Sequence, residues 1–130
     1  MIPSKPVEYP FLGAAEERDY CVFSDELEND PLIAFHGTAL QNLNPILEDG
    51  FAFTRELQSL SFARRSALAL KYASEARTRD SPEGCILVVR FKSLEVPGIA
   101  VEHSIIHVYK LNEQPAVIGF CTVPSSYRFV

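Results

Sequence analysis

The sequence predicts an α+β fold, a single compact domain in which helices come early and most strands come late. Three observations lead there. The chain has 130 residues, enough for one hydrophobic core and too few for two. Its composition, 47% hydrophobic and 22% charged, is that of a globular domain rather than a disordered chain. Helical periodicity falls within residues 38–79, whereas most β-type apolar runs follow residue 84, an order unlike a βαβ repeat.

Taken in order, residues 1–31 are proline-rich and then acidic, through Glu16-Glu17-Arg18-Asp19 and Asp25–Asp30. They read as an extended acidic arm with a short helix near 13–19, ahead of a domain spanning 32–130. Leu32-Ile33-Ala34-Phe35-His36 reads as a short buried strand. Gly37 marks a turn, and Thr38 with Gln41 has capping-box spacing for the next helix. Leu40, Leu43 and Leu47 lie at helical spacing, Pro45 kinks or splits that helix, and Asp49-Gly50 closes it. Residues 51–60 read as loop, with a short strand near 59–63. Arg64–Arg79 is the strongest helix, alanine-rich, with Leu68, Tyr72 and Ala76 stacked at i, i+4 and i+8. Asp80-Ser81-Pro82-Glu83-Gly84 is a turn. Cys85–Lys92 reads as a central strand, residues 99–110 as one or two further strands, and Ala116–Val123 as the last, after Pro115.

The net charge of −5 is unevenly spread. Residues 1–50 carry ten acidic against two basic side chains, and residues 51–130 carry seven against ten. Arg55, Arg64, Arg65, Lys71, Arg77 and Arg79 crowd one segment whose only acids are Glu56 and Glu75. An anionic ligand is therefore compatible with a mildly acidic chain. Cys21, Cys85 and Cys121 are odd in number and far apart, which argues against a zinc site or a disulfide framework and fits a reducing compartment. His103 and His107 are four apart, but Ile105, Ile106 and Val108 favour strand and no third ligand is apparent, so no metal is expected. No apolar run approaches the ~20 residues of a membrane span, and the start, Met1–Pro6, lacks a secretory apolar core. A cytoplasmic protein, not membrane-bound, is the expectation, with delivery into a host cell by a route needing no cleaved signal left open. No G-x-G-x-x-G, Walker or G-x-S-x-G motif occurs.

Four features then occur in a telling order. A strand ends in Phe35-His36-Gly37-Thr38 and leads to a helix ending at Asp49-Gly50-Phe51. Leu60-Ser61-Phe62-Ala63 forms a short apolar strand. Tyr72 follows Ser61 by eleven residues, one helix later. Asn112-Glu113 precedes the last strand. Each has a plainer reading as well: His36 as a core histidine, Tyr72 as the core face of its helix, Glu113 as a turn carboxylate.

Together these features resemble the ADP-ribosyltransferase superfamily, in its diphtheria-toxin-like and poly(ADP-ribose)-polymerase-like branch. The resemblance spans about residues 32–123. It implies split antiparallel β-sheets with two main helices. It also implies NAD as co-substrate, with His36 bonding the adenosine ribose, the Gly37 backbone bonding the nicotinamide amide, and Thr38 as the small hydroxyl residue beside them. Tyr72 matches the second of two rings that sandwich nicotinamide. Ser61 stands where the first ring is expected, a departure from the family, and Phe62 beside it would face the other side of its strand. Glu113 resembles the family's catalytic glutamate, which stabilises an oxocarbenium-like transition state. Arg64 or Arg65, at the start of the second helix, could meet the pyrophosphate with help from helix-end amides.

The activity implied is mono-ADP-ribosyl transfer to a macromolecule, protein ahead of nucleic acid, by a monomer of the effector or toxin kind. The alternatives are an RNA 2′-phosphotransferase-like or NAD-hydrolysing enzyme, and a non-catalytic binding module on the same fold. Glu102 is a rival late carboxylate whose flanks resemble the family less.

Overall fold

The near-continuous apolar run at residues 85–89 forms the buried middle of a seven-stranded mixed sheet. The computed structural model describes residues 5–11, 22–53 and 58–128. Within them lie β1 (Val7–Tyr9), α1 (Asp25–Asn29), β2 (Ile33–Ala39), a 3-10 turn (Leu40–Asn42), α2 (Leu43–Asp49) and β3 (Leu60–Ala63). Then come α3 (Ser66–Glu75), β4 (Gly84–Arg90), β5 (Ile99–Glu102), β6 (Ile105–Val108), a second 3-10 turn (Leu111–Glu113) and β7 (Ala116–Val123). The strands lie side by side in the order β1-β7-β4-β2-β3-β6-β5. The α+β class is as the sequence led us to expect.

The split antiparallel sheets are not found as such. There is one sheet, and β1 runs parallel to β7 through Val7↔Gly119 to Tyr9↔Cys121, while the other pairs are antiparallel. Its two parts meet at a single register pair, Phe35↔Ala63, between β2 and β3. Beyond Phe35, β2 continues against β4 alone, from His36↔Leu87 to Ala39↔Gly84. The two strands part there, and the opening between them positions the site.

Alternation along β4 divides the core. Ile86 and Val88 join Ile33, Phe35 and the α3 residues Ala69, Leu70 and Ala73 on one face. Cys85, Leu87 and Val89 join Leu43, Phe51, Phe62 and Phe91 on the other. The buried stripe of α3 is Ser66, Ala69, Leu70 and Ala73, at helical i, i+3, i+4, i+7 spacing. Of the Leu68-Tyr72-Ala76 row, Leu68 packs partly buried on the core, whereas Tyr72 is exposed, because small alanines let α3 lie closer to β2 than Tyr72 would permit. Gly37 takes part in that approach: a Cβ there would stand 2.6 Å from the Ala73 amide nitrogen and closer still to the Ala69 carbonyl.

Several local expectations change. The first helix is split, as Pro45 allows, into the 3-10 turn and α2, where proline occupies the first turn and no amide is missed. Thr38 is a strand residue and not an N-cap; neither helical piece has a side-chain cap, and Thr38 Oγ1 instead accepts from Asn42 Nδ2 at 2.9 Å. Gly50 ends α2 at φ +79°, the left-handed region that glycine enters freely. The second helix is shorter than 64–79. The helix near 13–19 lies outside the described residues. Of the arm, β1 adds an edge strand, and α1 places Phe23 stacked on Phe35 at 5.2 Å between ring centres, 7° from parallel.

Candidate functional site

The site is the cleft opened where β2 leaves β3, about 890 Å³ in volume. Ligand clefts commonly fall at about 300–1,000 Å³, lined by apolar groups with a few polar ones. His36, Gly37 and Thr38 line it from β2, Ser61 and Phe62 from β3, and Tyr72 from α3. Residues 36–38 lie past the last β2–β3 pair, still in register with β4, so the strand end delivers a histidine, a bare backbone and a hydroxyl into one opening.

His36 is half-buried. Its Nδ1 bonds the Ser61 carbonyl at 3.0 Å, which ties the two parting strands together. Its ring meets Phe51 edge-on at 5.2 Å and tilts against Phe62 at 5.5 Å. Burial pushes the His36 pKa down from its ordinary 6.5, and the Ser61 carbonyl opposes that only in part. The neutral imidazole therefore prevails at neutral pH, suited to giving or taking a hydrogen bond rather than to pairing with a phosphate.

Phe62 is buried against Phe51 and Phe91, both edge-on. Ser61, one residue away, points to the opposite face. Ala63, two residues on, shares the core with α3, so Ser61 lies on the α3 side with Tyr72, which is 44% exposed. An aromatic sandwich of Tyr72 with a β3 ring is thus not built by this chain: Ser61 has the right face without a ring, and Phe62 has the ring on the other face.

The cleft brings in groups that sequence reasoning did not place in the site. Asp49, at the end of α2, is the one acidic residue among the described lining residues. Asn42 and His107 also line it. His107 stands directly opposite Ser61 in the β3–β6 register, and Ser61 Oγ lies 3.1 Å from its Nδ1. His107 Nε2 is 3.7 Å from Glu102 Oε2. Ser61 and His107 are 46 residues apart, and only the pairing of the strands joins them.

Glu113 and Arg65 are not among the lining residues. Glu113 ends the second 3-10 turn, three residues before β7. Its neighbour Gln114 reaches the rim: Gln114 Oε1 accepts from the Phe51 amide at 2.7 Å, and Gln114 Nε2 donates to the Phe51 carbonyl at 3.2 Å. Arg65 is exposed at the N-cap of α3. The first amide of that helix is already used. Glu28, from the acidic arm and 6% exposed, accepts from the Ser66 amide at 3.1 Å, from the Ser66 hydroxyl, and from the Phe23 amide at 3.3 Å. A carboxylate at a helix N-terminus meets its orphan amides and its dipole. The pyrophosphate contact expected from helix-end amides beside Arg65 is therefore pre-empted at Ser66 by the protein's own anion. Within a run of acids, nothing in the sequence set Glu28 apart.

Cys85 and Cys121 are buried free thiols, each pushed up to about 12 chiefly by burial, and so are poor nucleophiles. Among the described residues, no group of three or more His, Cys, Asp or Glu side chains could hold a metal ion, and no helix is long and apolar enough to cross a membrane. No family model matches the chain, and no curated protein matches it.

Proposed function

We propose that the protein is a mono-ADP-ribosyltransferase that cleaves the nicotinamide–ribose bond of NAD and passes ADP-ribose to a macromolecular acceptor. One observation carries the reading: His36, Gly37, Thr38, Ser61 and Tyr72, chosen from sequence alone, converge on a single cleft of cofactor size at the parting of β2 and β3. In this reading His36 bonds the adenosine ribose, the Gly37 backbone holds the nicotinamide amide, and Tyr72 stacks on the nicotinamide ring. Breaking the C–N bond leaves positive charge on the ribose, which a nearby carboxylate favours in the transition state. Glu113, one residue from the Gln114 clip at the rim, is assigned that role, and the protein is taken to act as a soluble cytoplasmic monomer on a protein acceptor.

The test incubates the protein with NAD labelled in its adenosine half and a cell lysate, beside Glu113→Ala and Asp49→Ala. Label on macromolecules that disappears in Glu113→Ala supports the assignment. Loss in Asp49→Ala alone moves the carboxylate role to the lining acid. A binding module without catalysis is the second reading, favoured by Ser61 in place of a ring and by Glu113 lying outside the lining. It predicts NAD binding with neither label transfer nor nicotinamide release.

A further inference from the structure

We infer that Ser61, His107 and Glu102 form a proton relay on the β3 side of the cleft, and that the acceptor it serves is a hydroxyl group. The inference rests on the ADP-ribosyl-transfer reading and adds the chemical class of its acceptor.

The relay follows from register. Ser61 and His107 are direct partners on β3 and β6, while His107 lies opposite Ala100 on β5, two residues from Glu102 on the same face. Direct and diagonal neighbours on one sheet face thus set a hydroxyl, an imidazole and a carboxylate in a row. Their spacings are 3.1 Å from Ser61 Oγ to His107 Nδ1 and 3.7 Å from His107 Nε2 to Glu102 Oε2.

The acid end selects the tautomer. At 3.7 Å the Glu102 carboxylate is beyond hydrogen-bond distance but near enough for its charge to favour a proton on Nε2, which leaves the Nδ1 lone pair for the Ser61 hydroxyl to donate to. With its proton turned toward His107, Ser61 Oγ presents its lone pairs to the cleft, which both residues line. A proton arriving at Ser61 can then be matched by one leaving for Nδ1.

A structural duty explains the row poorly. Ser61 is exposed, and the Glu102 side chain is 67% exposed, so neither polar group needs a buried partner. Ion pairs of that exposure add only about 0–1 kcal/mol to stability.

In the transfer step, the acceptor oxygen attacks C1′ of the nicotinamide ribose as the C1′–N bond breaks. Nicotinamide departs neutral with the bonding electron pair. The new C1′–O bond leaves one proton to be lost: it passes to Ser61 Oγ, whose own proton passes to His107 Nδ1, and the imidazolium is held by Glu102. A carboxylate acceptor has no proton to lose and would not need this row. Of the acceptors that lose one, an alcohol depends most on a base, because its oxygen is a weak nucleophile until the proton is taken.

The experiment compares methanol with azide as nucleophiles toward NAD, because azide attacks without losing a proton. The O-methyl and azido products of ADP-ribose are quantified for the wild type, His107→Ala and Glu102→Gln. The relay requires His107→Ala to lower the methyl product at least about 100-fold, the usual scale of general-base catalysis, while the azido product stays near wild type. Glu102→Gln, which lies outside the cleft lining, should lower the methyl product as well and leave the azido product near wild type. Equal loss of both products, or loss of neither, overturns the relay. If the wild type forms neither product nor free nicotinamide, the transfer reading itself has failed and the relay goes with it.

Discussion

Replacing Glu28 by alanine should loosen α3 from the rest of the domain. Two buried backbone amides, Phe23 and Ser66, would lose their acceptor, and the Ser66 hydroxyl would lose the partner it donates to. That hydroxyl can turn, since it also accepts from the Val22 amide at 2.8 Å. The two amides cannot, and each stranded buried donor costs about 1–2 kcal/mol. The lost charge at the α3 N-terminus adds about 0.5 kcal/mol. The expected total is about 3–4 kcal/mol, near the upper end for one substitution. With an unfolding entropy of about 2.1 cal/mol/K per residue, that corresponds to a fall of roughly 10–15 °C in Tm for a chain of this length. Urea unfolding followed by circular dichroism, together with calorimetry, measures it. Glu28→Gln keeps an oxygen acceptor and should lose less than half as much. If both variants unfold within about 0.5 kcal/mol of wild type, the capping account of the acidic arm is wrong.

Other outcomes follow from the same packing. Gly37→Ala drives a methyl group into the α3 backbone at Ala69 and Ala73, so it should cost at least about 2 kcal/mol in urea unfolding; an unchanged midpoint would mean that α3 is free to move. Burial lowers the His36 pKa, so between 6.5 and that lower value the unfolded chain binds more protons than the native one. The His36 contribution to stability is thus full above pH 6.5 and is lost as the pH falls below it. Unfolding at pH 7.5 and 5.5 should show a larger acid loss in wild type than in His36→Gln, and equal losses would refute the burial argument. With two of the three cysteines buried and held near 12, an aromatic disulfide reagent should titrate at most one thiol in the native protein at pH 8 and all three in urea.

What the sequence disclosed and what it hid divide along physical lines. β2, β4 and β7 were legible because buried strands require apolar runs, and Gly50 was legible because a helix end at positive φ requires glycine. Val7–Tyr9 was not: three residues beside prolines carry no strand signal, and what orders them is parallel pairing with β7. The face of α3 was only partly legible: periodicity picked out the large residues, of which Leu68 packs on the core, whereas close approach to Gly37 selected the small ones. In the site, His36, Gly37 and Thr38 were visible as a local motif. His107 and Glu102 were noticed singly, as a metal candidate and a rival carboxylate, but their row with Ser61 was not legible, because it exists only in strand register. Glu28 was hidden by its neighbours: one acid of several in a row becomes a helix cap only through a contact 38 residues away.

If the proposed transfer of ADP-ribose is right, the cleft beside His36 binds NAD. Isothermal titration of NAD into the wild type and into His36→Ala, with folding of the variant checked by circular dichroism, tests it directly. Saturable binding at one site per chain is expected in the wild type, weakened at least about tenfold in His36→Ala, the loss of one hydrogen bond to a ribose hydroxyl. Equal affinity in the two proteins, or no binding to the wild type, would contradict it.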